Sequence, residues 1–357
     1  MIIVTILITL LIFGLLVTIH ELGHYLVARA SGVAIIEFSI GMGPKIKSWQ
    51  GKINTFSLRA LPIGGYVRMV GEPGEEDDAE TLIACIGRKA INEVHIFKRM
   101  LIVLAGPAMN ILLAFLVMLV LVSTSRAIGS TTIHHMMDDS VSAQYGLQAE
   151  DTILEINGKT IHCYPDLSYK ILSDGIDEDG VNILVERDGK EILLKGVKFG
   201  KQTEEGVAFG TLDFVVYARE KTPWVIISES FWQGYNSLYM TVDSLVDTFT
   251  GRYGLEAVGG PVAIGEQIGE TIENSGSFAD TLRNLGSMTM MISVSLGIMN
   301  LLPIPALDGG RFLLYVIEAI RRKPLPKEVE EKIVAGTMIL LFALMFLVFF
   351  KDIFALF

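Results

Sequence analysis

Four stretches of the chain are almost free of polar side chains. Met1 to Ile19 carries no charge, Leu101 to Ser123 is a second run, and Val334 to Phe350 closes the series. Between them, Leu285 to Leu302 is apolar and continues irregularly through a proline-rich stretch to Ile320. About 20 apolar residues in a helix cross a bilayer, so the pattern predicts four spans, the third of them broken. The first run has no basic lead-in and is long for a signal peptide. Despite the small residues flanking Arg29 at Ala28 and Ala30, it reads as a retained span.

Elsewhere the periodicity changes. Ile53 to Leu61 alternates apolar and polar as a strand does, and Pro62 to Tyr66 ("PIGGY") reads as a turn or bulge. A second region of β-pattern begins with Thr152 to Ile156 and ends in Asn157-Gly158, a hairpin-type turn. A helix fits Pro165 to Ser173. Strands Val181 to Glu186 and Glu191 to Val197 flank the turn Arg187 to Lys190. Ser228 to Phe249 has the spacing of an amphipathic helix, suited either to a membrane surface or to packing on the preceding domain. Gly71 to Glu80 is an acidic, solvated loop.

Composition agrees with a membrane protein. Of 357 residues, 51% are hydrophobic and only 19% are charged, against about a quarter in soluble domains. The net charge of −11 argues against nucleic acid as a partner. The acid is localised: Arg126 to Asp280 holds 25 Asp and Glu against 11 Lys and Arg, and the remainder is slightly basic. Ten Lys and Arg lie between Ala28 and Met100, and more follow from Arg321 to Lys332. By the positive-inside bias these two segments are cytoplasmic, which puts the acidic region and both termini outside. Cys85 and Cys163 then lie on opposite sides and are not expected to pair.

The chemistry sits at the end of the first run. His20-Glu21-Leu22-Gly23-His24 is H-E-x-x-H. On a helix the two histidines share a face and can bind one zinc, while the glutamate is placed to take a proton from a water that the metal acidifies. Ionisable groups in hydrocarbon are costly and functional by default. A catalytic zinc usually has a third protein ligand. His95 lies in the cytoplasmic loop and His134, His135 and His162 in the external region, but Asp308 is the only acid in "NLLPIPALDGGRF" (Asn300 to Phe312). There Pro303 and Pro305 break the third span, and irregular backbone at membrane depth survives only inside protein or beside a cavity. Asp308 is suited to ligate a metal; the blander alternative is an ion pair with Arg311.

These motifs carry a family likeness. HELGH in a first span together with N-x-x-P-x-P-x-L-D-G in a late one resembles the site-2 protease family of intramembrane zinc metalloproteases. The likeness extends through "GVAIIEFSIGMGP" (Gly32 to Pro44), "LPIGGYVRMVGE" (Leu61 to Glu72), "FKRMLIVLAGPAMN" (Phe97 to Asn110) and "GGPVAI" (Gly259 to Ile264). It is greatest to the bacterial regulator-of-sigma-E type, and Gly146 to Phe199 is similar to a PDZ domain. The chain has room for one such domain.

The resemblance implies that His20, His24 and Asp308 hold one zinc ion, that Glu21 is the catalytic base, and that Asn300 helps to handle substrate. Gly64, Gly65 and Tyr66 are further candidates for substrate binding, in a β-region that offers an edge to an extended peptide. It implies a multi-span α-helical membrane protein of the bacterial cell membrane, with a small membrane-associated β-region, an extracytoplasmic PDZ domain and the active site near the cytoplasmic side. The expected order is a first span at 1–27, the β-region and loop at 28–100, and a second span at 101–124. The PDZ domain follows at 125–200 and an external linker with the amphipathic helix at 201–283. The third span occupies 284–320, a cytoplasmic loop 321–333 and the fourth span 334–357. The implied partners are the lipid bilayer and single-span substrates such as anti-sigma factors and remnant signal peptides. The rival reading is a membrane-anchored PDZ scaffold whose metal site is not catalytic.

Overall fold

The computed structural model of the chain describes residues 2–72, 87–204, 207–250 and 260–355. The acidic loop expected from Gly71 to Glu80 falls mostly outside these residues, and so does Cys85. The chain divides into two compact units, Met1–Val117 with Met240–Phe357, and Met118–Tyr239.

The first unit opens with α1 (Ile2–Ser31), a single helix that runs through the HELGH motif. Next come β1 (Ile35–Gln50) and β2 (Thr55–Met69), both long and bent, and then α2 (Ile96–Thr124), whose last turns pass into the second unit. Phe38 pairs with both Val67 and Phe56, and Ile40 with both Gly65 and Leu58. Lys47 and Trp49 pair with Leu58 and Phe56. The first half of β1 therefore lies between the two halves of β2, and Gly65 to Met69 forms an edge. Gly41 and Gly64 make the bends, at φ of +84° and +86°, a region that side chains with a Cβ disfavour. The chain reverses at Gly51 to Asn54, and "PIGGY" is a bend within one continuous strand pairing rather than a hairpin tip.

The second unit contains β3 (Ile128–Met136), β4 (Thr152–Ile156), β5 (Lys159–Thr160), α3 (Tyr164–Asp174), β6 (Val181–Arg187) and β7 (Lys190–Val197). The hairpin β8 (Gly200–Glu204) and β9 (Val207–Thr211) and the strand β10 (Phe214–Arg219) complete its β-structure. One sheet runs in the order β10-β3-β4-β6-β7, with β5 added to β4. Ile133, Ile153, Ile156, Ile183 and Val185 turn inward and meet Leu167 and Ile171 from α3, Ile153 and Ile156 sharing a side because the register of β4 shifts between them. Cys163 is buried and free, and burial pushes its thiol up to about 12, so it is inert near neutrality. α4 (Pro223–Thr250) begins here. Trp232 stacks on His162 with ring centroids 3.7 Å apart, and Tyr239 accepts a hydrogen bond from Lys170 at 2.9 Å. This part of the amphipathic helix thus packs on its own unit, while Trp224, Ile227, Phe231 and Tyr235 remain exposed.

Returning to the first unit, α5 (Pro261–Asn274), α6 (Phe278–Asn300), α7 (Asp308–Arg321) and α8 (Lys327–Ala355) follow. α5 was not legible as a helix. Its start is capped from a distance, by the Asp352 carboxylate accepting from the Gly260 amide at 2.9 Å. Ile264 and Ile268 of α5 pack on Ile12 and Leu16 of α1. The proline-rich stretch ends α6 at Asn300, and the chain folds back through tight turns before α7 starts at Asp308. A Cβ on Gly309 would lie 2.1 Å from the Leu301 carbonyl oxygen, and one on Gly310 2.1 Å from that of Ile304. Only glycines allow the new helix to begin against the preceding turn.

Among the described residues, three helices are long and apolar enough to cross a membrane: Ile2–Ser31, Ile96–Thr124 and Glu328–Asp352. Large apolar side chains cover the exposed faces of α1 and α8. A helix apolar on all sides needs protein or lipid around it, and these surfaces define a multi-pass membrane protein. α6 is about 34 Å long at 1.5 Å per residue, but its first turns carry Asp280, Arg283 and Asn284.

Asp151 is fully buried in the second unit, and Arg187 clasps it with hydrogen bonds of 2.6 and 2.8 Å. Replacing Arg187 by Ala strands that charge, a loss of about 3–5 kcal/mol. Hydrogen exchange of the full-length chain is expected to show faster opening of β4 and β6.

Candidate metal centre

α1 supplies two imidazoles from one face, since His20 and His24 are four residues apart. Both are buried, at 7% and 9% exposure. Gly23 lets α2 approach: a Cβ there would lie 2.2 Å from the Ala105 carbonyl oxygen. On the other side Tyr25 packs edge-on against Phe38 and Phe56, and its hydroxyl donates to Asn54 at 3.1 Å. The last turns of α1 are thus wedged between α2 and the bent sheet.

The third group arrives from the break after α6. Asp308, the first residue of α7, brings Oδ2 to 3.0 Å from His20 Nε2 and 3.3 Å from His24 Nε2. The two Nε2 atoms are 3.2 Å apart. Asp308 does not pair with Arg311; that guanidinium lies 3.4 Å from Glu72.

Three features fit a metal ion. The donor set is two imidazoles and a carboxylate, with one atom from each in a single cluster. Bonds of about 2.0–2.1 Å in a tetrahedral zinc site separate ligand atoms by roughly 3.3 Å, and the edges here are 3.0, 3.2 and 3.3 Å. Asp308 Oδ2 is buried and makes no aligned hydrogen bond despite its two near neighbours. The outer nitrogen of His24 is engaged as a ligand's should be, with Nδ1–H donating to the Ile102 carbonyl of α2 at 2.7 Å.

A cavity of about 380 Å³ opens on this cluster. Glu21, Tyr66 and Glu72 line it from one side, Asn300, Asp308 and Arg311 from the other. Gly65 lies against Glu21: a Cβ there would meet Glu21 Cγ at 3.4 Å. Gly64 faces Met42 instead, so the structure does not bring it to the cavity wall. Tyr66 is fixed by donating to the Glu37 carboxylate at 3.0 Å, which also accepts from Arg59 at 3.1 Å. Burial by itself would raise the Glu37 pKa, yet Ser57, Tyr66, Arg59 and the nearby Lys45 charge hold it below the ordinary value.

Sequence reasoning missed Glu72, Gly106 and Asn110. All three lie in or beside stretches already singled out for their family likeness, but their contacts span the fold. Gly106 is the most constrained, because a Cβ there would lie 2.4 Å from His24 Nε2 and 2.7 Å from His20 Nε2.

Helices fit for a membrane, a cluster fit for a divalent ion and a carboxylate beside it define the class: a membrane metallohydrolase. Comparison with known proteins makes this specific. The model of Peptidase family M50 matches residues 8–344, and the chain belongs to that family. A "Putative zinc metalloprotease" of Fusobacterium nucleatum is 33% identical over 99% of both chains. One of Clostridium acetobutylicum is 33% identical over 98% of this chain and 97% of its own. One of Staphylococcus aureus is 30% identical over 98% of each. The protein is a zinc metalloprotease, and zinc is its cofactor.

Gly106→Ala tests how tightly α2 closes on the cluster. The added methyl has no room beside the two imidazoles. Zinc content of the purified variant is expected to fall well below stoichiometric, while the sheet of the second unit keeps its hydrogen-exchange protection.

Proposed function

We propose that the chain is an intramembrane endopeptidase that hydrolyses transmembrane segments of single-span proteins. Anti-sigma factors and remnant signal peptides are the substrate kinds implied, in regulated intramembrane proteolysis. The observation that carries this reading is the position of the site. His20, Glu21 and His24 belong to a continuous apolar helix, and the cavity beside them is walled by that helix, a broken one and a sheet edge.

In this reading His20, His24 and Asp308 hold the zinc, and the ion supplies Lewis acidity to a carbonyl and a water. Glu21 takes the proton of the attacking water and delivers it to the leaving amine. No covalent intermediate is needed. The edge strand from Gly65 to Met69 pairs with an unwound substrate segment and holds its backbone extended beside Glu21. Tyr66, pinned to Glu37, keeps that edge in place, and Asn300 meets the segment from the opposite wall. A helical peptide bond is shielded by its own hydrogen bonds, so a strand that trades for them does part of the unwinding.

The remaining assignments follow the same likeness. The broken α6–α7 pair counts as a span, which makes four, with the site near the cytoplasmic side of a bacterial cell membrane. The second unit is a PDZ-type domain on the outer side, in a single-PDZ member of the regulator-of-sigma-E type. It acts as a size filter for substrates already trimmed outside.

The test is co-expression of the full chain with a tagged single-span substrate, with metal content measured on each purified variant. Wild type is expected to cut. Glu21→Gln keeps zinc and loses about 10²–10⁴-fold in rate, while Asp308→Ala loses both zinc and cleavage. If Glu21→Gln cuts as fast as wild type, the proposed chemistry fails and a membrane-anchored scaffold with a non-catalytic metal site takes its place.

A further inference from the structure

We propose that Asn110 is a positioning residue for the zinc centre: its side-chain amide fixes the ring of His20. The inference rests on the reading of His20 as a zinc ligand and adds to it a residue to which no role has been given.

Asn110 is fully buried on α2. Its amide nitrogen lies 3.2 Å from His20 Nδ1, while its amide oxygen is buried with no hydrogen-bond partner among the described residues. The main chain is held separately. The Asn110 carbonyl accepts from the hydroxyl of Ser293 on α6 at 2.7 Å, and Ser293 is itself fully buried.

A polar side chain used only to join helices would have both ends of its amide satisfied, because an unpaired buried oxygen is costly. Here the oxygen is unpaired and the one partner found for the amide is a metal-cluster histidine. Zinc binding gives the contact with His20 a purpose. A histidine that presents Nε2 as a lone pair carries its proton on Nδ1, and that proton needs an acceptor. A half turn of the amide about its Cβ–Cγ bond exchanges oxygen and nitrogen and sets the free oxygen opposite Nδ1–H. In the orientation of this structure, Nδ2–H donates to Nδ1, and the ring proton sits on Nε2. The amide thus has one orientation for each tautomer of His20, and the metal-binding tautomer recruits its oxygen.

The placement on α2 supports this. Ile102, Gly106 and Asn110 are spaced by four and share one face. The Ile102 carbonyl receives the outer proton of His24, Gly106 leaves room for both rings, and Asn110 meets the outer nitrogen of His20. One helix face therefore serves both imidazoles.

The experiment is zinc affinity by chelator competition on the purified full chain in detergent, for wild type, Asn110→Leu, Asn110→Ala, Asn110→Asp and His24→Ala. Asn110→Leu keeps the volume and removes the acceptor; Asn110→Ala removes the amide without added bulk. Both are expected to weaken zinc by about 10–100-fold. Asn110→Asp keeps an acceptor oxygen at the same place and is expected to stay within about threefold of wild type, a rescue that packing does not give. The cobalt-loaded chains are expected to follow the same division in their ligand-field spectra. Wild-type affinity in Asn110→Ala, or equal weakening in Asp, Ala and Leu, overturns the proposal. Should Asn110→Leu fail to fold, the Ala and Asp pair carries the test. His24→Ala separates the two readings: if it binds zinc as wild type does, the ligand assignment itself is wrong.

Discussion

The structure depends on the cost of placing ionisable groups in an apolar helix. An imidazole or carboxylate without partners at membrane depth is strongly unfavourable. His20, His24 and Asp308 escape that cost only together, and each then needs backbone around it at close range. The close contacts of this unit are the result. Gly23 and Gly106 bring α1 and α2 together, Gly309 and Gly310 start α7 hard against the turn before it, and the imidazoles are packed to under a tenth of their free exposure. The metal cluster is therefore a constraint on helix packing as much as a chemical site.

The bent sheet meets a different need. In the proposed reading, a peptide unwound from a helix must be given replacement hydrogen bonds at a site set among apolar helices. A strand edge provides them in a row. The folding of β1 between the two halves of β2 leaves Gly65 to Met69 as that edge, and the Glu37, Arg59 and Tyr66 cluster stiffens it from behind. Rigidity matters here, because a loose edge would lose in ordering what it gained in pairing.

Much of this was legible in the sequence, and the divide is physical. Long apolar runs, the i and i+4 histidines and the alternation from Thr152 to Val197 are local patterns, and local geometry follows from them. Asp308 stood out because an acid and two prolines in an apolar run violate the pattern. The course of β1 and β2 was harder: "PIGGY" has turn chemistry, yet pairing on both sides of β1 keeps it inside one strand. α5 was lost because its cap comes from Asp352, 92 residues from Gly260 along the chain. Arg311, near in sequence, was the alternative partner for Asp308, whereas Glu72 takes it in space. Gly64 was grouped with its neighbours, but it sits at a bend in the strand and faces Met42.

The cluster joins α1 to α7, with His24 and Asp308 284 positions apart along the chain. At a synthesis rate of about 5–20 residues per second, the two histidines are in place on the order of 15 to 60 seconds before the aspartate exists. During that interval the nascent chain carries two of the three ligands among the other proteins being inserted around it. The third corner of the cluster is made only after both long apolar helices α1 and α2 and the bent sheet. The order of translation alone thus withholds a complete site until most of its own surrounding walls have been built.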